Sequence, residues 1–214
     1  MSYPRSYDAL ILLTRDIGEA DRLCILFTRE AGRKALRARA VRKTGSKLGG
    51  MLLPLRRVHI DVQEHVGGGI ITSAVDGENT VPDWSQLPLF TQVMQGIELL
   101  LRLTEDDEPL PTVFDLLLEM RDACSGGQPD PVLPFQLRLL QLLGLLPVTT
   151  EDTRVADLSM LGKTFLWSCA HGRPLVDLCA LPYDQREMRS FSSAVLLDHL
   201  KRPLQAVRVA EAMS

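Results

Sequence analysis

Arg33, Arg37 and Arg39 occupy odd positions between Arg33 and Val41, whose even positions hold Lys34, Leu36, Ala38 and Ala40. In an extended chain alternate side chains share a face, with about 7 Å between i and i+2 neighbours, so the three arginines line one side. Lys34 turns to the other side with the small residues that pack inward. Cations arrayed in this way suit a phosphate backbone, whose condensed counterions they displace. Arg42, Lys43 and Lys47 follow in a stretch with three glycines, and Arg56 and Arg57 open the next extended run, where alternation lets only one of the two join the track. From Arg29 to Arg57 the chain places ten of its 24 basic residues against one acid, Glu30, a local +9 in a chain of net charge −3. A basic patch on an acidic body points to a polyanion partner; a merely solvated face is the plain alternative.

No other residues offer a chemistry of comparable strength. The chain lacks a Gly-x-x-x-x-Gly-Lys-Ser/Thr loop, and Gly67-Gly68-Gly69 has the character of a hairpin turn. The acidic run Glu105-Asp106-Asp107-Glu108 lacks the separated spacing of a chelate and reads as solvated. Cys169, His171 and Cys179 supply three ligands at irregular spacing where a structural zinc wants four, so no metal is expected. His59 and His65 share a strand face, but no serine or cysteine is placed to act as their nucleophile. We therefore expect no catalytic residues, no cofactor and no enzymatic turnover.

The first 80 residues carry the period of strands. Residues 8–14 and 22–28 are short apolar runs around a turn at DIGEAD, and Arg29-Glu30-Ala31-Gly32 makes a second tight connection into 33–41. Residues 42–50 read as a loop, 53–64 as a long strand and 70–75 as its hairpin partner. Five strands with short connections fit a closed barrel, a surface that commonly meets single-stranded nucleic acid. None of the chain's 11 aromatic residues falls between Thr28 and Arg57, so binding should be sequence-tolerant.

Past Pro82 the spacing becomes helical, over 86–104, 112–124 and 132–145, with EDDEPLP and SGGQPDP as breaks. Thr164 to Trp167 reads as a short strand, Tyr183 to Leu200 as a helix, and an amphipathic piece follows Pro203. Residues 1–82 carry a net +4 and residues 83–214 a net −7, so composition and period change together near residue 80. No apolar run approaches the roughly 20 residues a membrane span needs. A cytoplasmic chain with reduced, scattered cysteines (Cys24, Cys124, Cys169, Cys179) is expected.

Several stretches resemble the bacterial RecO recombination mediators: Gly18-Glu19-Ala20-Asp21-Arg22, Phe27 to Arg33, Ala40 to Lys43, Ser46 to Gly50 with Pro54-Leu55, then Phe114 to Glu119, Phe135 to Gly144 and His199 to Leu204. The resemblance implies an α+β chain: a five-stranded OB-fold barrel over 1–80 followed by an α-helical domain over 81–214. It further implies a non-enzymatic DNA repair and recombination mediator that binds single- and double-stranded DNA and anneals strands. With RecR it would help RecA displace the single-stranded-DNA-binding protein, in a bacterial cytoplasm near the nucleoid. By position, Arg33, Arg37, Arg39, Arg42, Lys43 and Lys47 would contact DNA, with Arg56 and Arg57 behind them, and Arg138 would lie near a protein-partner surface. Many relatives carry a four-cysteine zinc module where this chain has only Cys169 and Cys179, so zinc is expected to be absent. The rival reading is an adaptor whose basic barrel takes acidic protein tails rather than nucleic acid.

Overall fold

The computed structural model describes residues 3–78 and 87–200, so the amphipathic piece after Pro203 lies outside the described residues. These divide into two compact units, the first ending near residue 80 but also taking in Thr104–Phe114.

In the first unit β1 (Tyr3–Ile17), β2 (Asp21–Thr28), β3 (Gly32–Ala38), β4 (Arg57–His65) and β5 (Gly68–Asp76) close into a barrel in the order β1-β2-β3-β5-β4. β1 is long because it serves two neighbours: Tyr3–Leu10 pairs with β4 and Ala9–Ile17 with β2. The register shifts between Ile11 and Leu13, a bulge that lets the strand bend around the barrel. Closure is made by a parallel contact in which Arg37 and Ala38 face Ile70 and Ile71. The interior is filled by alternate residues of every strand, among them Ile11, Leu26, Leu36, Ile60 and Ile71, each at most 2% exposed.

β3 ends at Ala38 rather than continuing to Val41. Ala40 adopts a left-handed φ of 54° and reverses the chain, so Val41 drops into the core at 4% exposure instead of joining the arginines. The stretch read as a loop contains a short helix, α1 (Lys47–Met51), anchored by buried Leu52 and partly buried Leu48. Gly49 serves close packing: a Cβ there would lie 2.5 Å from the Val41 carbonyl oxygen. Residues 53–56 are not strand, which places Arg56 ahead of β4 rather than on it.

The second unit contains α2 (Leu87–Leu103), most of α3 (Pro111–Ser125), α4 (Val132–Leu142), α5 (Thr153–Ala156), α6 (Met160–Ala170), α7 (Leu175–Cys179) and α8 (Gln185–His199). The expected strand at Thr164–Trp167 lies inside α6. β-formers dominate that tetrapeptide, but Phe165, Leu166 and Cys169 are buried at helical spacing and Ser159 caps the start, its Oγ accepting the Gly162 N–H at 3.0 Å. Among the described residues no helix is long and apolar enough to cross a membrane.

Candidate nucleic-acid interface

The face that β2 and β3 turn away from the barrel interior is where the basic residues meet the sheet register. Leu23 lies opposite both Arg15 and Arg37, and Arg37 opposite Ile70, so Arg15, Leu23, Arg37 and Ile70 form one row across four strands. The neighbouring row is apolar: Leu13, Ile25 and Ala35. Arg15 and Arg37 are exposed while Leu13, Leu23, Ile25 and Ile70 are half-buried. Such a surface offers aliphatic contact beside positive charge. Neither Arg15 nor these aliphatics were singled out by sequence pattern, because only cross-strand register reveals that they adjoin Arg37.

Arg39, Arg42, Lys43 and Lys47 are exposed at the end of β3, in the following turn and at the start of α1. Asp21 fixes this region. Its Oδ1 accepts the Ala40 N–H at 2.8 Å and its Oδ2 accepts Arg37 Nε at 2.8 Å, so one carboxylate holds the reversed turn and aims an arginine. The Ala40 amide, then the Arg37 guanidinium, hold the Asp21 carboxyl below its ordinary value. The turn is also tied to the β1–β2 connection: the Arg42 N–H donates to the Ala20 carbonyl at 3.0 Å and the Arg42 side chain donates to the Gly18 carbonyl at 3.2 Å. Asp21 stands in the Gly18–Arg22 motif, which was its only sequence signal.

Three of the expected DNA contacts sit differently. Arg33 is ion-paired with Asp106, Arg56 is ion-paired with Asp76 and donates to the Gly50 carbonyl at 2.8 Å, and Arg57 is ion-paired with Asp8 through two bonds of 3.0 and 2.7 Å. Asp8 is 8% exposed and also receives Arg29 at 3.7 Å, and both Arg29 and Arg57 lie over the Phe114 ring. Arg57 therefore answers a buried carboxylate. Lys34 faces the barrel end, where its Nζ meets Glu64 at 2.9 Å and Asp107 at 2.7 Å, and the Tyr7 hydroxyl donates to Glu64 at 2.7 Å. Burial pushes the Lys34 amine down, yet its two carboxylate partners prevail and hold it above its ordinary value. Burial likewise raises Glu64, but bonds from Tyr7 and Lys34 carry it below. The Tyr7 phenol is pushed up to about 12 by burial and by its bond to Glu64.

In the second unit Arg138 is half-buried and donates to the Arg173 carbonyl. Cys169 and Cys179 are buried free thiols, whereas His171 is exposed, stacks on Trp167 with ring centres 4.0 Å apart and directs Nδ1 at the Trp167 carbonyl, 2.8 Å away. Burial pushes the thiols of Cys169 and Cys179 up to about 12 and about 11. Among the described residues no three His, Cys, Asp or Glu side chains group as a metal site.

A five-stranded closed barrel with a short helix between its third and fourth strands, a basic outer face and a following helical unit defines an OB-fold protein. A family model described as "Recombination protein O N terminal" matches residues 1–75. Three proteins called DNA repair protein RecO are similar: from Myxococcus xanthus, 36% identical over 65% of this chain and 59% of that protein; from Streptomyces avermitilis, 30% over 82% and 74%; and from Neisseria meningitidis, 33% over 65% and 52%. The chain belongs to the RecO family, and spans less than two thirds of the Myxococcus and Neisseria relatives it matches.

Proposed function

We propose that this protein is a non-enzymatic mediator of DNA repair and recombination, holding single- and double-stranded DNA on the outer face of its barrel and promoting strand annealing. The observation that carries this reading is the exposed group Arg15, Arg37, Arg39, Arg42, Lys43 and Lys47 on β1, β3, the following turn and the start of α1, where Asp21 holds Arg37 and the turn and Arg42 pairs with exposed Asp16 at 3.3 Å. Cations that span two backbones lower the repulsion between complementary strands, which is the physical requirement for annealing. Leu13, Leu23, Ile25 and Ile70 give sugars and bases an aliphatic floor without hydrogen-bond readout, so binding is sequence-tolerant. In this role the helical unit receives protein partners, with RecR, the single-stranded-DNA-binding protein and, indirectly, RecA as the partners that family membership supports. Residues 1–80 then form the nucleic-acid domain and 81–214 the partner domain, operating without zinc and without catalysis.

A strand-annealing assay tests the proposal. Complementary oligonucleotides coated with single-stranded-DNA-binding protein should anneal faster when the chain is added, and the acceleration should fade with salt. No acceleration, together with no retention of oligonucleotide at low salt, would refute it. Competition by an acidic peptide but not by oligonucleotide would favour the adaptor reading instead.

A further inference from the structure

The acidic run Glu105–Glu108 does not stand apart in solvent. It lies along the start of β3: the Asp107 N–H donates to the Arg33 carbonyl at 3.0 Å and Asp106 forms a parallel bridge with Arg33. Gly32 admits this contact, since a Cβ there would lie 1.8 Å from the Glu108 carbonyl oxygen. Two ion pairs follow from the docking, Arg33 with Asp106 and Lys34 with Asp107. Exposure within them is lopsided: the carboxylate side chains are 67% and 69% exposed, the cations beneath them 18% and 14%. The acids are thus a cover and the cations the floor. The cleft around these four residues, about 430 Å³, is also lined by Glu64, His65 and the Gly67-Gly68 turn of the β4–β5 hairpin, and the loop between the fourth and fifth strands is one that OB folds use for ligands.

We propose that Arg33 and Lys34 form a concealed phosphate site, continuous with the exposed cations of β3 and held closed by Asp106 and Asp107 acting as internal phosphate mimics. The inference rests on the DNA-binding reading and deepens it: the ligand is a nucleic-acid phosphate, and access to it requires displacement of 105–108. Solvent-exposed ion pairs are weak and salt-screened, so a polyanion already held at Arg37 and Arg39 can compete for Arg33 and Lys34 through its high local concentration. Lys34 keeps Glu64 when Asp107 leaves. A chain whose ten clustered bases were all open would bind any polyanion; this cover restricts the stronger grip to a strand long enough to reach both parts of β3.

The experiment compares the full chain with Asp106→Asn/Asp107→Asn in binding a fluorescent oligothymidylate across a salt series. Asn tolerates the left-handed backbone at position 107, where φ is 60°, and thermal unfolding confirms that the variant folds. Two further phosphate contacts should steepen the log–log salt slope by about 1.4, so the variant's gain at 50 mM salt should exceed its gain at 200 mM by roughly sevenfold. Asp106→Asn alone, which leaves the Lys34–Asp107 pair, should give about half that change in slope. Adding Arg33→Gln and Lys34→Met to the double variant should abolish the gain. Removing two exposed acids elsewhere, Glu151→Gln with Asp157→Asn, should leave the slope unchanged. A double variant with the wild-type slope, or a gain that survives loss of Arg33 and Lys34, overturns the concealed site alone. An oligonucleotide that binds neither protein overturns it together with the reading it rests on.

Discussion

Replacing Arg37 and Arg39 by glutamine should weaken DNA binding in a way the salt dependence can count. Six exposed cations, Arg15, Arg37, Arg39, Arg42, Lys43 and Lys47, each meeting one phosphate of a single strand, give a log–log slope near −4.2 at about 0.7 per contact. Without the two arginines the slope should relax to about −2.8. Between 50 and 200 mM salt the wild-type affinity then falls about 340-fold and that of the variant about 50-fold. The fold should not suffer, because Asp21 keeps its bond to the Ala40 amide when Arg37 is shortened, and Arg39 is an exposed side chain in the turn. Fluorescence anisotropy with an oligothymidylate supplies both numbers, and thermal unfolding supplies the control. Neutralising two exposed arginines of the helical unit, Arg173 and Arg186, separates direct contact from the field of the whole molecule, and should leave the slope as it is. An Arg37→Gln/Arg39→Gln protein that folds normally and keeps a slope near −4 would mean that the β2–β3 face does not touch phosphate.

Arg57→Gln should behave in the opposite sense, costing roughly 1–3 kcal/mol of stability by stripping a buried carboxylate of its two-bond partner, while leaving the salt slope alone; chemical denaturation and anisotropy check the two halves. Gly32→Ala should be strongly destabilising, since its Cβ would collide with the Glu108 carbonyl at a residue whose φ is 65°, and a near-normal unfolding midpoint would show that residues 104–114 do not dock on β3. Glu64 has a folded-state value below its ordinary 4.5, so its contribution to stability is present above that value and is lost as pH falls through the depressed one; Glu64→Gln should flatten this part of the acid-unfolding profile, read by circular dichroism. The four thiols, all buried and pushed up to between about 11 and about 12, should resist alkylation at neutral pH until the chain unfolds; rapid labelling of Cys169 or Cys179 in the native protein would contradict the packing described, and elemental analysis for zinc tests the proposal that the chain works without it.

Much of the barrel was legible because two faces impose period two: the alternation Lys34, Leu36, Ala38 against Arg33, Ala35, Arg37 survives intact through β3. It failed at Arg39, where the chain turns, because the turn rests on Asp21, a residue 19 positions from the amide it accepts. The helix α1 was hidden by its glycines, which mark loops by propensity, although Gly49 here serves close packing on Val41. In α6 the β-formers Thr164, Phe165 and Trp167 masked a helical burial pattern that tertiary packing enforces. Charge counting had a more instructive defect: it weighed Arg33, Arg56 and Arg57 equally with Arg37, although their acids, Asp106, Asp76 and Asp8, come from distant positions.

Those acids change how a charge cluster should be valued. Five of the eight candidate DNA contacts, Arg33, Arg37, Arg42, Arg56 and Arg57, are matched to carboxylates, yet the pairings differ in kind. Arg57 meets an acid that is 8% exposed, and separating them would strand a desolvated charge, so that arginine is held to the fold. Arg33 meets an acid that is 67% exposed, whose departure returns a carboxylate to water at little cost. Asp21 is a third case: it spends one negative charge inside the basic face to orient Arg37, which remains 50% exposed and able to meet a second anion. The exposure of the acid and of the arginine itself, more than the presence of an ion pair, therefore decides which arginines of a basic patch a polyanion can use.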